Sequence, residues 1–349
     1  MNQPTESAHG KPHVLFLMIK ALRPHQWIKN ILLVVPLLLA HELGDSEKLL
    51  SLLFAFIAFS AIASAMYLVN DLVDLQADRS HPTKRRRPIA SGDVSVLQAL
   101  LMTAGLGILG LLLAFLALPR PFALMLALYL VTSGCYSLWL KRLAIIDVLV
   151  LAGLYTLRIL AGGTAVAVDV SEWLLAFSMF LFTSLAFAKR YVELNALDES
   201  AGDILAMRRR GYRQTDVGII ETMGMTSGYL AVLVLALYIN SKEMLDLYLN
   251  NWALWIICVL LLYWLSRLWL LAQRKQLPDD PVLFAIKDRT SWFIAILVAM
   301  LLVLAASKIP GQVVPRVESH LQPRAAPDPV PRQGIKDREI ESANHQRLG

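Results

Sequence analysis

The sequence predicts an all-α, polytopic membrane protein: a bundle of nine transmembrane helices. Three observations lead there. Of 349 residues, 56% are hydrophobic and only 17% charged, against roughly 45–50% and about 25% in soluble domains, and mean hydropathy is +0.54. The apolar residues run continuously for stretches close to the roughly 20 residues that cross hydrocarbon as a helix, with no strand-like alternation. Lys and Arg also sort by side. Of 33, 22 fall in connectors on the N-terminal side of the runs and 3 on the opposite side, a positive-inside pattern. Backbone in lipid must satisfy its own hydrogen bonds, so the runs should be helices. The N-terminus and its side of the bundle are expected in the cytoplasm, with the protein integral to an inner (plasma) membrane.

Residues 1–26 form an N-terminal cytoplasmic or interfacial segment. Its apolar stretch from His13 to Leu22 is short, carries Lys20 and precedes no small-residue cleavage pattern, so it does not read as a secretory signal. The spans are expected at 27–41, 49–76, 94–118, 121–140, 144–166, 172–190, 217–240, 252–272 and 289–307. The first is short and contains Pro36; Pro119 and Pro121 part the third from the fourth. Together 27–307 make one transmembrane domain. The tail, 308–349, is rich in Pro, Arg, Gln and Asp and poor in aromatics, and is expected to be disordered. An odd number of crossings puts it on the far side. Cys135 and Cys258 lie in apolar runs and offer neither a disulfide framework nor a metal knuckle. No short-period repeat is visible, which disfavours a solenoid.

Chemistry concentrates where the second span ends, at Asn70-Asp71-Leu72-Val73-Asp74-Leu75-Gln76-Ala77-Asp78-Arg79. At about 100° per residue, Asn70, Asp71, Asp74 and Asp78 share one helix face. Three carboxylates that close repel strongly where screening is poor, so a cation must balance them. Mg²⁺ fits, because it takes oxygen ligands and bridges one or two carboxylates to substrate phosphates. Ionisable residues in membrane helices are rare and usually functional, which outweighs a merely solvated helix end.

The following stretch is His81-Pro82-Thr83-Lys84-Arg85-Arg86-Arg87-Pro88-Ile89-Ala90-Ser91-Gly92-Asp93. A basic cluster beside an acidic one suits a metal-bound polyphosphate. Arg85 and Arg86 serve equally as a topology signal with anionic-lipid contact. That alternative explains Lys84 and Arg87 less well, because prolines and Gly92 punctuate the loop into a fixed shape. The basic run is too short, on a membrane body, to read as a nucleic-acid site.

Lys141, after Trp139, either reaches a phosphate or snorkels with Arg142. Arg158 shares a face with Asp147 about 16 Å away; it is either a ligand contact deep in a cavity or structural. Lys189, Arg190 and Glu193 either bind phosphate, with Glu193 orienting them, or form a helix-surface salt bridge. Arg208, Arg209, Arg210 and Arg213 read as a lipid-surface patch. The connector from Pro278 to Arg289 is charged and loop-like, with no chemistry legible in it. Ser-His-Asp, Walker, Rossmann and HExxH patterns are all missing, and His25 and His81 stand alone, which argues against nucleophilic hydrolysis and zinc.

At Asn70, Asp71, Asp74 and Asp78 the chain resembles the UbiA superfamily of intramembrane prenyltransferases, whose members carry Asn-Asp-x-x-Asp-x-x-x-Asp at the end of helix two. The resemblance covers roughly 20–307. It implies a nine-helix bundle and a diphosphate held through Mg²⁺ at a cytoplasmic cavity that opens sideways to lipid. One departure stands out: most prenyl-transferring members carry a second Asp-x-x-x-Asp after helix six, where this chain has Lys189-Arg190-Tyr191-Val192-Glu193, then Asp198 and Asp203 at other spacing. With Arg23 to Asn30, Asp78 to Lys84, Arg87 to Gly92, Tyr136 to Lys141 and Lys189 to Tyr191, the chain is similar to a subgroup, the decaprenyl-phosphate phosphoribosyltransferases.

That resemblance implies transfer of 5-phosphoribose from phosphoribosyl diphosphate (PRPP) to a polyprenyl phosphate. Asp74, Asp78 and Lys189 would be catalytic, Asn70, Asp71, Asp74 and Asp78 would hold Mg²⁺, and Arg79, Lys84, Arg87, Tyr136, Lys141, Arg158, Lys189, Arg190 and Glu193 would bind substrate. The alternatives are prenyl transfer from a polyprenyl diphosphate to an aromatic or other small acceptor, and a transporter or non-enzymatic lipid binder. A homo-oligomer is left open.

Overall fold

The computed structural model describes residues 14–195, 211–241, 250–278 and 280–306. The expected disordered tail, residues 1–13, and Asp198, Asp203, Arg208, Arg209 and Arg210 lie outside the described residues. Everything below concerns the unit Met1–Ser307.

After a short helix α1 (Val14–Ala21), a 3₁₀ stretch (Pro24–Val34) runs into α2 (Val35–Leu39). Then come α3 (Ser46–Val73), α4 (Leu75–Ser80), α5 (Val96–Ala117), α6 (Arg120–Leu138), α7 (Ile146–Val166), α8 (Glu172–Asn195), α9 (Val217–Ile239), α10 (Asn251–Gln273), α11 (Pro281–Lys287) and α12 (Arg289–Ala306). Among the described residues, eight helices are long and apolar enough to cross a membrane. The protein is an integral membrane protein, and its outward faces carry exposed Leu97, Leu116, Phe293 and Val303, as a lipid-facing surface requires.

The first expected span is not one long α-helix, yet it still crosses. Its near end is tied to the end of α3 by Arg23 and Asp71, 2.6 Å apart. Its middle is tied by Asn30 to Ser60 (3.0 Å), and its far end by Glu42 to Lys48 at the start of α3. At about 2.0 Å rise per 3₁₀ residue, this stretch and α2 together cover roughly the 30 Å of a hydrocarbon core. Pro24 and Pro36 remove donors from it. A Cβ on Gly162 of α7 would lie 2.2 Å from the Leu33 carbonyl oxygen, so the slim stretch packs backbone to backbone.

The remaining starts follow capping rules. Asp45 accepts from the amides of Glu47 and Lys48 before α3, and Ser95 with Gln98 forms a capping box on α5. Consecutive long helices alternate in direction. Trp173 stacks on Tyr238 at one end, where Asn250 N–H also donates to the Ala305 carbonyl (3.1 Å). The other end, here called the mouth, gathers the termini of α3, α6, α8 and α10 and the starts of α7 and α11.

Candidate active site

At the mouth is a cavity of about 550 Å³. Its charged lining comprises Arg23, Lys29, Lys84, Arg87, Lys141, Arg158 and Lys189 against Asp74, Glu193 and Asp280. Seven lining cations against three lining carboxylates leave it net positive, even when Asp71 and Asp78, which pair with Arg23 and Arg87 from behind, are counted.

The acidic motif supplies one wall, but not as a single helix face. α3 stops at Val73, and Asp74 (φ −92°, ψ 8°) breaks the chain before α4. Asn70 and Asp74 line the cavity. Both Asp74 oxygens accept from the Lys141 ammonium at 2.7 Å, and Asn70 Oδ1 accepts from it at 3.0 Å. Asp71 and Asp78, buried just behind, turn to guanidinium groups instead. Arg23 reaches Asp71 at 2.6 and 2.9 Å, and Arg87 bridges Asp71 (3.1 Å) and Asp78 (2.5 Å). Among the described residues no three His, Cys, Asp or Glu side chains gather as a metal cluster. The oxygens of Asn70 and Asp74 nevertheless converge on one cationic point, the Lys141 ammonium. Two such protein donors suit Mg²⁺, which keeps several waters and completes its shell with substrate phosphates.

The basic loop sorts as its punctuation suggested. Lys84–Arg86 form one 3₁₀ turn, whose period of three eclipses Lys84 and Arg87. Those two line the cavity, whereas Arg85 and Arg86 point outward, exposed. His81 Nδ1 accepts from the amides of Thr83 (3.2 Å) and Lys84 (3.4 Å). Gly92, at φ +88°, closes the loop in a conformation that glycine adopts without strain. Arg79, expected on substrate, lies outside the lining; its Nε donates to the Ala90 carbonyl (3.3 Å) and braces the loop.

The opposite wall is α8, where two neighbouring cations differ. Lys189 lines the cavity. Arg190, also expected on phosphate, is fully buried and turned away. Its Nε meets Asp147 at 2.5 Å, one terminal nitrogen meets Glu193, and the other donates to Tyr136 Oη at 3.1 Å. It thereby fixes two cavity residues, Tyr136 and Glu193, from behind. Tyr212 donates to the second Asp147 oxygen (2.5 Å) and accepts from the Ile145 amide (2.8 Å). Burial and the bond to Asp147 push its phenol upward.

Arg158 forms the floor. Its three nitrogens donate to Asn30 Oδ1 (3.1 Å), the Leu154 carbonyl (2.6 Å) and Tyr129 Oη (3.0 Å), and Phe59, Tyr129 and Tyr155 surround it. It reaches the cavity through its edge, with every nitrogen engaged.

Lys29 and Asp280 are site residues that the sequence pattern does not single out. They pair at 2.6 Å across the cavity rim. Asp280 also caps α11, accepting from Val282 N and Leu283 N at 3.2 Å. Burial alone would raise its carboxyl, but the positive charges of Lys29 and Lys189 and these hydrogen bonds hold it below the usual range. Beyond Lys29 opens a second hollow of about 660 Å³ with an apolar wall, between the first crossing segment and α8 to α12. The two hollows share Lys29 and Val282.

This architecture has counterparts. A solved structure described as a UbiA homolog from Archaeoglobus fulgidus bound to GPP and Mg²⁺ superposes with a TM-score of 0.59 at 16% identity, over 83% of this chain and 98% of that one. An uncharacterized protein, y4nM, of Sinorhizobium fredii is 39% identical over 301 residues, 84% of this chain; the match spans 57% of that longer relative. The decaprenyl-phosphate phosphoribosyltransferase of Mycobacterium tuberculosis is 37% identical over 214 residues, 60% of this chain and 70% of that one. The family model described as UbiA prenyltransferase family matches residues 31–297, from the first crossing segment into α12. With fold, acidic motif and sequence profile in agreement over most of its length, the chain belongs to the UbiA prenyltransferase family.

Proposed function

We propose that this protein transfers 5-phosphoribose from PRPP to a polyprenyl phosphate of the decaprenyl type, with pyrophosphate as leaving group. The observation that carries this reading is the charge of the mouth cavity, seven cations against three carboxylates. The donor brings a diphosphate and a 5-phosphate, and the acceptor brings a third phosphate. Prenyl transfer to a neutral aromatic acceptor brings one diphosphate only, fewer anionic groups than the positive lining can take. The mycobacterial relative's name supports the same reading.

The chemistry needs little beyond charge and position. An oxygen of the lipid phosphate attacks C1 of the ribose and forms a C–O bond. The bond from C1 to the diphosphate breaks, and its electron pair leaves with pyrophosphate. The nucleophile is already anionic, so no general base is required, in keeping with a cavity whose only histidine among the described residues is His81. Asn70 and Asp74 are the residues that would hold Mg²⁺, which when bound there supplies positive charge to the departing diphosphate. Asp71 and Asp78 anchor Arg23 and Arg87, so that these guanidinium groups stay aimed at phosphate. Lys84 and Lys141 complete the diphosphate end. Lys189, with Glu193 and Tyr136, takes the ribose phosphate end, positioned by Arg190. The cavity faces the cytoplasm, in agreement with 22 basic residues on that side against 3.

Purified protein in vesicles, supplied with radiolabelled PRPP, polyprenyl phosphate and Mg²⁺, should move label into lipid and release pyrophosphate. Turnover with a polyprenyl diphosphate and an aromatic acceptor, and none with PRPP, would establish prenyl transfer instead.

A further inference from the structure

We infer that Lys29, at the junction of the two hollows, seats the phosphate of the lipid acceptor, and that Asp280 is the carboxylate this phosphate displaces. This rests on the phosphoribosyl reading and deepens it: the acceptor is an isoprenoid monophosphate whose head group has a subsite apart from the donor diphosphate.

Four observations carry it. The apolar hollow, about 660 Å³, has the character of a site for a long hydrocarbon chain. Lys29 is the one charged residue in its lining among the described residues. A chain lying in the hollow must put its head where apolar wall gives way to polar cavity, and Lys29 and Val282 are the residues common to both. A head group that replaces Asp280 beside this ammonium has to be anionic, since a charge taken out of water needs a counter-charge.

The local pairing also allows an exchange. Lys29 pairs with Asp280 at 2.6 Å, the two side chains being 10% and 18% exposed. Lys189 feels the same carboxylate but makes no hydrogen bond or ion pair among the described residues. Two ammonium groups, Lys29 and Lys189, thus meet two carboxylates, Asp280 and Glu193, at the rim, and an arriving phosphate can take Lys29 over from Asp280. Asp280 keeps its other oxygen on the amides of Val282 and Leu283, so it can yield Lys29 without giving up the start of α11. The diphosphate end is built from other elements altogether: Asn70 and Asp74 where α3 ends, Lys84 and Arg87 on the loop, and Lys141 after α6.

Farnesyl phosphate, farnesyl diphosphate and farnesol are suitable probes, with binding read from quenching of Trp264 and Trp292, which line the hollow. Lys29→Met should weaken farnesyl phosphate binding about tenfold or more, the worth of a charge-assisted hydrogen bond, and leave farnesol binding unchanged. Lys29→Arg should retain phosphate binding. Asp280→Asn, which can still cap α11, should tighten farnesyl phosphate binding severalfold. Asp74→Asn should weaken farnesyl diphosphate in Mg²⁺ and spare the monophosphate. The inference is overturned if Lys29→Met binds farnesyl phosphate like the wild type, if Lys29→Met loses farnesol equally while Asp280→Asn changes nothing, or if Asp74→Asn weakens the monophosphate. Direct binding of PRPP to wild-type protein, measured separately, tests the phosphoribosyl reading alone: its absence would remove that reading whatever Lys29 does.

Discussion

The two walls of the mouth cavity handle charge in opposite ways. On the α3 side every acid of the motif has a basic partner: Asp71 with Arg23 and Arg87, Asp78 with Arg87, Asp74 with Lys141. On the α8 side the charges divide within two consecutive residues. Arg190 spends all its nitrogens behind the wall, while Lys189 faces the cavity with no hydrogen bond among the described residues. Adjacent cations in a motif thus do different work. A buried guanidinium with fixed geometry holds the scaffold, and an ammonium on a flexible stem faces the cavity. The acidic wall is a closed network of ion pairs; on the α8 wall Lys189 is held in none among the described residues, with Glu193 the acid beside it.

Four tests break or sharpen that contrast. Asp74→Asn removes the one carboxylate of the motif that lines the cavity. Turnover should fall about 100-fold or more, with helix content by circular dichroism and melting temperature little changed. Full activity in Asp74→Asn would remove the metal role. Arg190→Met strands Asp147 in the interior, and losing one partner of a buried pair costs about 3–5 kcal/mol. Thermal unfolding in detergent should show it, and a second change, Asp147→Asn, should recover part of the loss. Lys189→Met should do the reverse: stability unchanged, and KM for PRPP raised about tenfold. Arg85→Gln with Arg86→Gln should alter KM by less than about twofold, since both point outward, with any effect confined to binding of anionic vesicles.

Much of this architecture is written in local pattern. Continuous apolar runs locate the crossings, and the prolines flanking Lys84 and Arg87 set those two apart from Arg85 and Arg86. The single-face placement of Asn70, Asp71, Asp74 and Asp78 assumes an unbroken helix. The break at Asp74 sends Asp71 and Asp78 to Arg87 and leaves Asn70 and Asp74 in the cavity. The first crossing segment is legible as a crossing but not as 3₁₀, because its reason is the close approach of Gly162, far along the chain. Arg190 and Lys189 look alike in sequence. What separates them is Asp147, 43 residues away. Lys29 and Asp280 are 251 residues apart, and no spacing rule joins them. Part of the connector with no legible chemistry thus became part of the site.

The contact of Gly162 with Leu33 has a mechanical consequence. A single added methyl there would collide with main chain at 2.2 Å, so this flank of the bundle is stitched shut and stiff. The opposite flank of the same segment borders a hollow rather than a seam. A wedge such as Gly162→Ala would therefore strain that seam while leaving the hollow on the other flank untouched.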